Sequence, residues 1–229
     1  MKLFLDTADL KQIKEIASWG ILDGVTTNPT LLAKEGKVDA KKHLQAICEL
    51  VDGPVSMEVF AEDSKEMVKQ GLEYSTWADN IVVKIPMTPE GLKAVVELKK
   101  KGIPTNVTLI FSANQALLAA KAGAAMVSPF IGRLDEAGED GLTLIQEITD
   151  IFSNYAFDTE VLVASVRGPR HITEAARMGA HIATLPYEIF KKLPYHPLTT
   201  IGLEKFLADW NNRKGNFLWS TLWALGVRA

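Results

Sequence analysis

The stretch Lys121-Ala122-Gly123-Ala124 recurs 56 residues further on as Arg177-Met178-Gly179-Ala180. In both places a basic residue and a glycine end a helical pattern just before an apolar, strand-like run. The separation is twice the length of one strand-helix unit of about 28 residues, and eight such units account for a chain of 229 residues. The repeat therefore predicts eight consecutive β-α units with parallel strands.

The rest of the chain keeps this alternation. Apolar runs rich in Val, Ile, Thr and Phe predict strands at Lys2–Asp6, Gly24–Asn28, Pro54–Phe60, Asn80–Ile85, Pro104–Thr108, Ala125–Phe130, Glu160–Ser165 and His181–Thr184. Amphipathic stretches lie between them, for example at Ser64–Tyr74 and Gly141–Asn154, and no Pro-, Gly- or Ser-rich linker divides the chain. The sequence therefore predicts an α/β fold, a single-domain (β/α)8 TIM barrel with a C-terminal helical extension. An open, doubly wound sheet is the alternative.

The pattern changes near the end of the chain. Pro197–Trp210 reads as an eighth helix, so we assign residues 1–210 to the barrel and residues 211–229 to a tail. Trp219 and Trp223 lie four residues apart on one face of a predicted helix. This apolar tail is too short to span a bilayer and is more typical of a subunit contact. We therefore expect a homo-oligomer with no membrane partner.

Composition excludes several functional classes. The apolar fraction of 47% and charged fraction of 23% are typical of globular proteins, and a net charge of -3 offers no basic field for nucleic acid. The one cysteine, Cys48, reads as a core residue, and such cysteine usage predicts a cytoplasmic protein. The four histidines show no ligand spacing and no dinucleotide or triphosphate loop motif is present, so we expect no metal and no cofactor.

A lysine interrupts the apolar run Ile81-Val82-Val83-Lys84-Ile85-Pro86. Side chains alternate along a barrel strand, so Lys84 shares the face of Val82 at the carboxyl end, where barrel enzymes hold their active sites. Removal from water lowers the pKa of a lysine from roughly 10.4 toward neutrality, and the neutral amine can attack a carbonyl to form a Schiff base. A lysine that extends its amine to solvent at the strand end is the alternative.

Polar side chains also mark the ends of the other predicted strands. They include carboxylates, side-chain amides and hydroxyls, at Asp6, Thr26, Thr27, Asn28, Ser56, Glu58, Asn106, Thr108, Ser128 and Ser165. Because buried polar groups need partners, such a set at one barrel mouth is hard to explain as packing. Together with the lysine, the set predicts a site for proton transfers around a nucleophilic amine.

Arg133 and Arg167 follow the sixth and seventh predicted strands. Two guanidinium groups beside the hydroxyl of Ser165 suit a phosphate dianion, which accepts forked hydrogen bonds. Phosphate sites of barrel enzymes commonly lie near the last strands. The sequence thus predicts a phosphorylated substrate, although each arginine taken alone is equally typical of a solvated loop.

Several short motifs, in this order, resemble the transaldolase family, in the short-chain branch that also includes fructose-6-phosphate aldolases. They are found at residues 24–31, 82–86, 106–112, 127–133, 164–167 and 196–199. The resemblance runs from Lys2 to about Trp210. Each motif alone is weak, but their combination and order are specific to the family.

The resemblance implies a role for each candidate residue. Lys84 is the implied Schiff-base lysine, and Asp6 is the implied acid/base at the C4 hydroxyl. Glu58 and Thr108, with a water molecule, are the implied proton relay. The residues implied to bind the dihydroxyacetone unit or the phosphate of the substrate are Thr26, Asn28, Asn106, Ser128, Phe130, Arg133, Ser165 and Arg167.

Two positions separate the branches of the family. Transaldolases tend to have Glu in strand three and Phe after the Ser-Pro of strand six, where the aldolases tend to have Gln and Tyr. This sequence has Glu58 and Phe130. A phenol can position a water molecule, whereas a phenylalanine leaves the enamine dry until an acceptor aldehyde arrives. The resemblance therefore implies a metal-free transaldolase of the pentose phosphate pathway, with sedoheptulose 7-phosphate as donor and glyceraldehyde 3-phosphate as acceptor.

Two other functions stay open at this point. One is a fructose-6-phosphate aldolase that releases free dihydroxyacetone, and the other is a barrel that binds sugar phosphates without converting them. The polar set argues against the second, since a binding module needs no buried amine beside two carboxylates. In the family the C-terminal helix packs on a neighbouring subunit, so the resemblance implies a pentamer or decamer. The longer, aromatic tail beyond Trp210 leaves the number of subunits open.

Overall fold

The structure, a computed structural model, describes residues 1–213. Eight parallel strands pair in chain order, and β8 pairs with β1 to close the barrel. The strands are β1 (Lys2–Asp6), β2 (Gly24–Thr26), β3 (Val55–Glu58), β4 (Ile81–Pro86), β5 (Thr105–Ile110), β6 (Met126–Pro129), β7 (Glu160–Val163) and β8 (Ile182–Leu185). The predicted (β/α)8 TIM barrel is confirmed, and the open sheet is excluded.

Helices follow the strands around the barrel. They are α1 (Leu10–Ala17), α2 (Pro29–Lys34), α3 (Ala40–Leu50), α4 (Ser64–Tyr74), α5 (Pro89–Lys100), α6 (Ala113–Ala122), α7 (Ile131–Glu136), α8 (Gly141–Asn154), α9 (Pro169–Arg177), α10 (Tyr187–Phe190) and α11 (Pro197–Asn211). Many begin at a side chain that accepts backbone N–H groups, as Asp9, Asp63 and Thr88 do. Such caps satisfy donors that have no partner within the helix.

The repeated glycines end their helices as the sequence predicts. Gly123 has a φ of 93° and Gly179 a φ of 80°, both in the left-handed region. The N–H of Gly123 turns back to the carbonyls of Ala119 and Ala120. A residue with a side chain is disfavoured in this conformation, so glycine fixes the point where each helix turns into the next strand.

The apolar core has two parts. The larger part lies between the strands and the helices, and it includes Cys48, whose thiol pKa is raised to about 11 by burial. Cys48 is therefore a core residue, as predicted, and not a reactive thiolate. The smaller part fills the inside of the barrel with the side chains of Phe4, Val82, Met126, Leu162, Ala164 and Ile182. This inner cluster forms the floor on which the polar side chains of the barrel mouth stand.

Contacts divide the chain into a compact unit of Met1–Leu193 and a second unit that begins at Pro194. Helix α11, which the sequence analysis counts with the barrel, falls in the second unit and buries none of its residues. The boundary after residue 210 stays a prediction, and most of the predicted tail, with Trp219 and Trp223, lies outside the described residues. No helix within residues 1–213 is long and apolar enough to cross a membrane.

Candidate active site

The register of the strands brings polar residues level at the carboxyl end of the barrel. Glu58 lies beside Lys84, and Lys84 lies beside Asn106 on the next strand. Asp6 lies beside Thr26 in the same way. Residues in register on neighbouring parallel strands point to the same side of the sheet, so these side chains converge inside the barrel.

A cavity opens where these side chains meet. It is lined by Asp6, Thr26, Asn28, Lys84, Ser128, Phe130, Arg133, Leu162, Ala164, Ser165, Arg167 and Thr184. The predicted site residues outside this lining are Glu58, Asn106 and Thr108, of which the first two contact lining residues directly. The structure thus gathers the predicted residues around one barrel mouth.

Lys84 stands at the centre of the site. The residue is 4% exposed, so its amine does not extend to solvent, and that alternative is wrong. Its Nζ lies 3.1 Å from Oε2 of Glu58 and donates a hydrogen bond of 3.1 Å to the backbone carbonyl of Thr27. A buried amine next to a carboxylate has a partner that can take and return its proton.

Asp6, at the end of β1, faces the same cavity. Burial raises the pKa of its carboxyl group, an effect that the positive charge of Lys84 and a hydrogen bond from Thr26 partly oppose. That hydrogen bond joins the Thr26 hydroxyl to Oδ1 of Asp6 at 2.7 Å, and the same hydroxyl lies 2.6 Å from that of Thr184. A carboxyl group with a raised pKa is suited to holding a proton during a reaction.

Three buried side chains form a hydrogen-bonded row beside the lysine. Ser128 Oγ donates to Oδ1 of Asn106 at 2.7 Å, and Nδ2 of Asn106 donates to Oγ of Ser56 at 3.1 Å. All three residues are at most 1% exposed. Both the oxygen and the nitrogen of the Asn106 amide have a partner, which fixes the orientation of the amide. The amide oxygen in turn fixes the direction in which the Ser128 hydroxyl points its proton.

Thr108 occupies the next inward position after Asn106 on β5. Its residue is fully buried, and its Oγ1 is the buried side-chain atom within residues 1–213 that lacks a hydrogen-bond partner. The following residue, Leu109, has a φ of 61°, where the register between β5 and β6 shifts. A buried hydroxyl without a partner has capacity for a water molecule or substrate, which agrees with the predicted relay role.

Two arginines form the cationic side of the cavity. The Arg133 guanidinium lies 5.0 Å from the centre of the Phe130 ring. Arg167 lines the same cavity and pairs with Glu136 at 2.8 Å. Ser165, which lines the same cavity, has a φ of 61°, a strained conformation for a residue other than glycine. A hydroxyl and two guanidinium groups are a suitable set of donors for a phosphate.

Some lining residues were missed by the sequence analysis. Thr184 has the same inward orientation on β8 as Ile182, so the alternation rule applied to the last strand would have found it. The carbonyl of Thr27 that holds Lys84 is a backbone atom and leaves no signal in the sequence. Across the described part of the chain, no three His, Cys, Asp or Glu side chains are grouped to hold a metal ion.

Comparison with solved structures agrees with the barrel fold. A mandelate oxidase variant superposes with a TM-score of 0.56 at 14% identity, covering 81% of this chain and 64% of that one. Thiamine phosphate pyrophosphorylase from Pyrococcus furiosus gives 0.55 at 16% identity, covering 81% and 85% of the two chains. At such low identity these matches report the fold alone.

Sequence comparison is more specific. The fold and site define a barrel enzyme with a buried lysine, and residues 3–218 match the transaldolase/fructose-6-phosphate aldolase family. A probable transaldolase of Aquifex aeolicus is 59% identical, covering 92% of this chain and 96% of the relative. A probable transaldolase of Lysinibacillus sphaericus is 58% identical, covering 94% and 100%. The chain belongs to the transaldolase/fructose-6-phosphate aldolase family, which confirms the resemblance.

Proposed function

We propose that the protein is a transaldolase that moves a dihydroxyacetone unit from sedoheptulose 7-phosphate to glyceraldehyde 3-phosphate. The observation that carries the proposal is the buried amine of Lys84, 3.1 Å from Glu58, in a cavity that also holds Asp6 and two arginines. The family and the names of the relatives, which are probable transaldolases, support the same activity.

The first step is the formation of a Schiff base on Lys84. Glu58 takes a proton from Nζ, and the free amine attacks the C2 carbonyl of the donor to give a carbinolamine. Glu58 then returns the proton to the carbinolamine hydroxyl, which leaves as water and forms the iminium. The Thr27 carbonyl aligns the amine, and the Thr108 hydroxyl holds the water.

The second step is the cleavage of the bond between C3 and C4. Asp6 takes the proton of the C4 hydroxyl, the C4 oxygen forms the aldehyde, and the electron pair of the broken bond moves into the iminium to give an enamine. Erythrose 4-phosphate leaves. Burial of Asp6 raises its pKa and so stabilises the protonated carboxyl group that this step creates. The iminium is the electron sink, so the step as written requires no metal.

The third step reverses the first two with a new aldehyde. The enamine attacks C1 of glyceraldehyde 3-phosphate, Asp6 returns its proton to the new hydroxyl, and water releases fructose 6-phosphate from Lys84. Arg133, Ser165 and Arg167 bind the phosphate of each substrate. The dihydroxyacetone unit is held by the amides and the hydroxyl near the lysine, at Asn28, Asn106 and Ser128.

An aldolase that releases free dihydroxyacetone is the second candidate. Phe130 lines the cavity and presents no hydroxyl that could hold water near the enamine, which favours transfer to an aldehyde. We further propose a cytoplasmic homo-oligomer, a pentamer or decamer. The exposed apolar side chains of α11, among them Leu198 and Phe206, support self-association.

A paired assay tests the proposed function. Fructose 6-phosphate is supplied with and without erythrose 4-phosphate, and both sedoheptulose 7-phosphate and free dihydroxyacetone are measured. Transfer that requires the acceptor is the expected result. Release of dihydroxyacetone at a comparable rate without acceptor would make the protein an aldolase. Lys84→Met should abolish trapping of the substrate by borohydride, and trapping that persists would reject the Schiff base on this lysine.

A further inference from the structure

One short segment contacts both arginines of the cavity. Phe130 follows β6, and α7 begins at the next residue and ends at Glu136. The segment supplies Arg133 and supports its guanidinium on the Phe130 ring. The second arginine, Arg167, comes from the loop after β7, yet its side chain also lies on α7. Segment 130–136 therefore determines where both positive charges lie.

Gly132 leaves the space that Arg167 occupies. A Cβ atom at Gly132 would lie 2.8 Å from Cγ and 3.0 Å from Nε of Arg167, and 2.1 Å from the backbone oxygen of Ser165. Cβ atoms essentially never come within 3.0 Å of another atom, so the Ser165 oxygen and the Arg167 Cγ leave no room for a side chain here. The stem of the arginine thus crosses the bare backbone of α7 at the one place where no side chain obstructs it.

Glu136 lies one helical turn further along α7 and contacts the guanidinium at its end. Its Oε1 accepts hydrogen bonds from Nε at 2.9 Å and lies 2.8 Å from Nη2 of Arg167. An arginine has five N–H donors in a planar fork, and this contact uses two on one edge. The remaining donors, one on Nη2 and two on Nη1, are left for another anion.

The backbone of the same loop is held by the neighbouring carboxylate. Nε2 of His171 lies 3.2 Å from Oδ2 of Asp135, and Nδ1 of His171 accepts the N–H of Arg167 at 3.3 Å. Two consecutive residues of α7 therefore hold Arg167. Asp135 holds its backbone through His171, and Glu136 holds its guanidinium directly. A half-exposed ion pair contributes little to stability, so a gain in stability does not account for two separate attachments to one arginine.

We infer that Gly132 and Glu136 are positioning residues that orient Arg167 toward the phosphate of the substrate, an inference that rests on the proposed function. Glu136 holds the edge of the guanidinium that contains Nε, and the substrate phosphate receives hydrogen bonds from the Nη1 side. The Glu136 carboxylate thus acts as a hydrogen-bond acceptor that fixes the rotamer of Arg167 before the substrate binds. A competing role, in which Glu136 neutralises Arg167 and must be displaced, makes the opposite prediction.

The test compares Glu136→Ala with Glu136→Gln, because glutamine keeps an acceptor oxygen and loses the charge. The readouts are KM for fructose 6-phosphate, the inhibition constant of inorganic phosphate, and the rate at which borohydride traps dihydroxyacetone, which carries no phosphate. We expect Glu136→Ala to raise the first two by about two- to fivefold, the range for a half-exposed ion pair, with the trapping rate unchanged. Glu136→Gln should stay closer to the wild type.

Glu174→Gln is the matched control, since it removes the carboxylate of another Arg–Glu pair, with Arg177, that does not line the cavity. Tighter phosphate binding in both Glu136 variants would show competition and overturn the inference. It is also overturned by unchanged binding in Glu136→Ala, by equal weakening in Glu136→Gln, or by an equal loss of trapping. Gly132→Ala should weaken phosphate binding further. The two Glu136 variants decide the test, because the Glu136 side chain is exposed and its replacement does not put folding at risk.

A wild-type protein that transfers no dihydroxyacetone and traps none, yet binds inorganic phosphate, would reject the proposed function alone. Titration of the same variants with inorganic phosphate would then still measure the effect of Glu136 on Arg167. A wild-type protein that transfers dihydroxyacetone but binds no inorganic phosphate would reject the inference alone.

Discussion

Replacing one member of the buried pair Glu58–Lys84 should lower the free energy of unfolding far more than replacing one member of a surface ion pair. A double-mutant cycle of Glu58→Gln and Lys84→Met measures this difference. Side chains of this pair are 15% and 5% exposed, and the charged atoms lie 3.1 Å apart. Each single variant removes one member of this pair and leaves the other buried, whereas the double variant removes both members.

The structure sets the magnitude. At 3.1 Å and an effective dielectric constant of about 20, the attraction is roughly 5 kcal/mol. Removal of one partner from a buried pair costs about 3–5 kcal/mol, because the other charge stays out of water. We expect each single variant to lose roughly 3 kcal/mol and the double variant to lose no more than either one. The coupling energy is then at least about 3 kcal/mol.

Urea unfolding at pH 7, at one fixed protein concentration, measures the four free energies of unfolding. The exposed pair Glu97–Lys100 is the matched control, since its atoms are closer, at 2.6 Å, but its side chains are 51% and 64% exposed. Its coupling energy should be much smaller than that of the buried pair, because solvent screens exposed charges. Equal coupling in the two cycles, or additive losses for Glu58 and Lys84, would refute the claim that burial makes this pair strong.

Three further perturbations have defined outcomes. Burial raises the pKa of Asp6, so the folded protein loses stability as pH rises and this carboxyl group ionises. Asp6→Asn should therefore raise the melting temperature more at pH 8 than at pH 4. The same variant should lower the rate of transfer by roughly 10²–10⁴. Phe130→Tyr should increase free dihydroxyacetone relative to transferred dihydroxyacetone in the paired assay. Gly179→Ala should cost about 1 kcal/mol in urea unfolding, because φ is 80° and no neighbouring atom adds a clash.

The sequence predicts helices and strands well where the hydrophobic period agrees with the residues that begin and end each element. Helices Ser64–Tyr74 and Gly141–Asn154 have the bounds that their amphipathic pattern predicts. Strand β5 is longer than predicted, because the chain continues through a register shift and ends at Ile110 instead of Thr108. Segment Ile131–Glu136 was not predicted as a helix, since six residues are too few to show a period.

The candidate site was predictable from two different kinds of information. The alternation of side chains identified Lys84 as an inward residue, and the structure places it there with a buried amine. The assignment of roles came from the family resemblance. Neither source could reveal the support of Arg167 by Glu136, because an acidic residue at the end of a short surface helix is indistinguishable in sequence from an ordinary solvated charge.

The inside of the barrel explains how a polar site is tolerated in a protein core. Below the site, the apolar cluster that includes Phe4, Val82 and Ile182 closes the barrel and excludes water from beneath. Above it, the same strands carry polar residues in the next inward positions, among them Lys84 and Thr184. Almost every buried polar atom there has a partner, so the layer costs little and each side chain has one orientation. The exception is the Thr108 hydroxyl, the group to which the proposed mechanism assigns a water molecule.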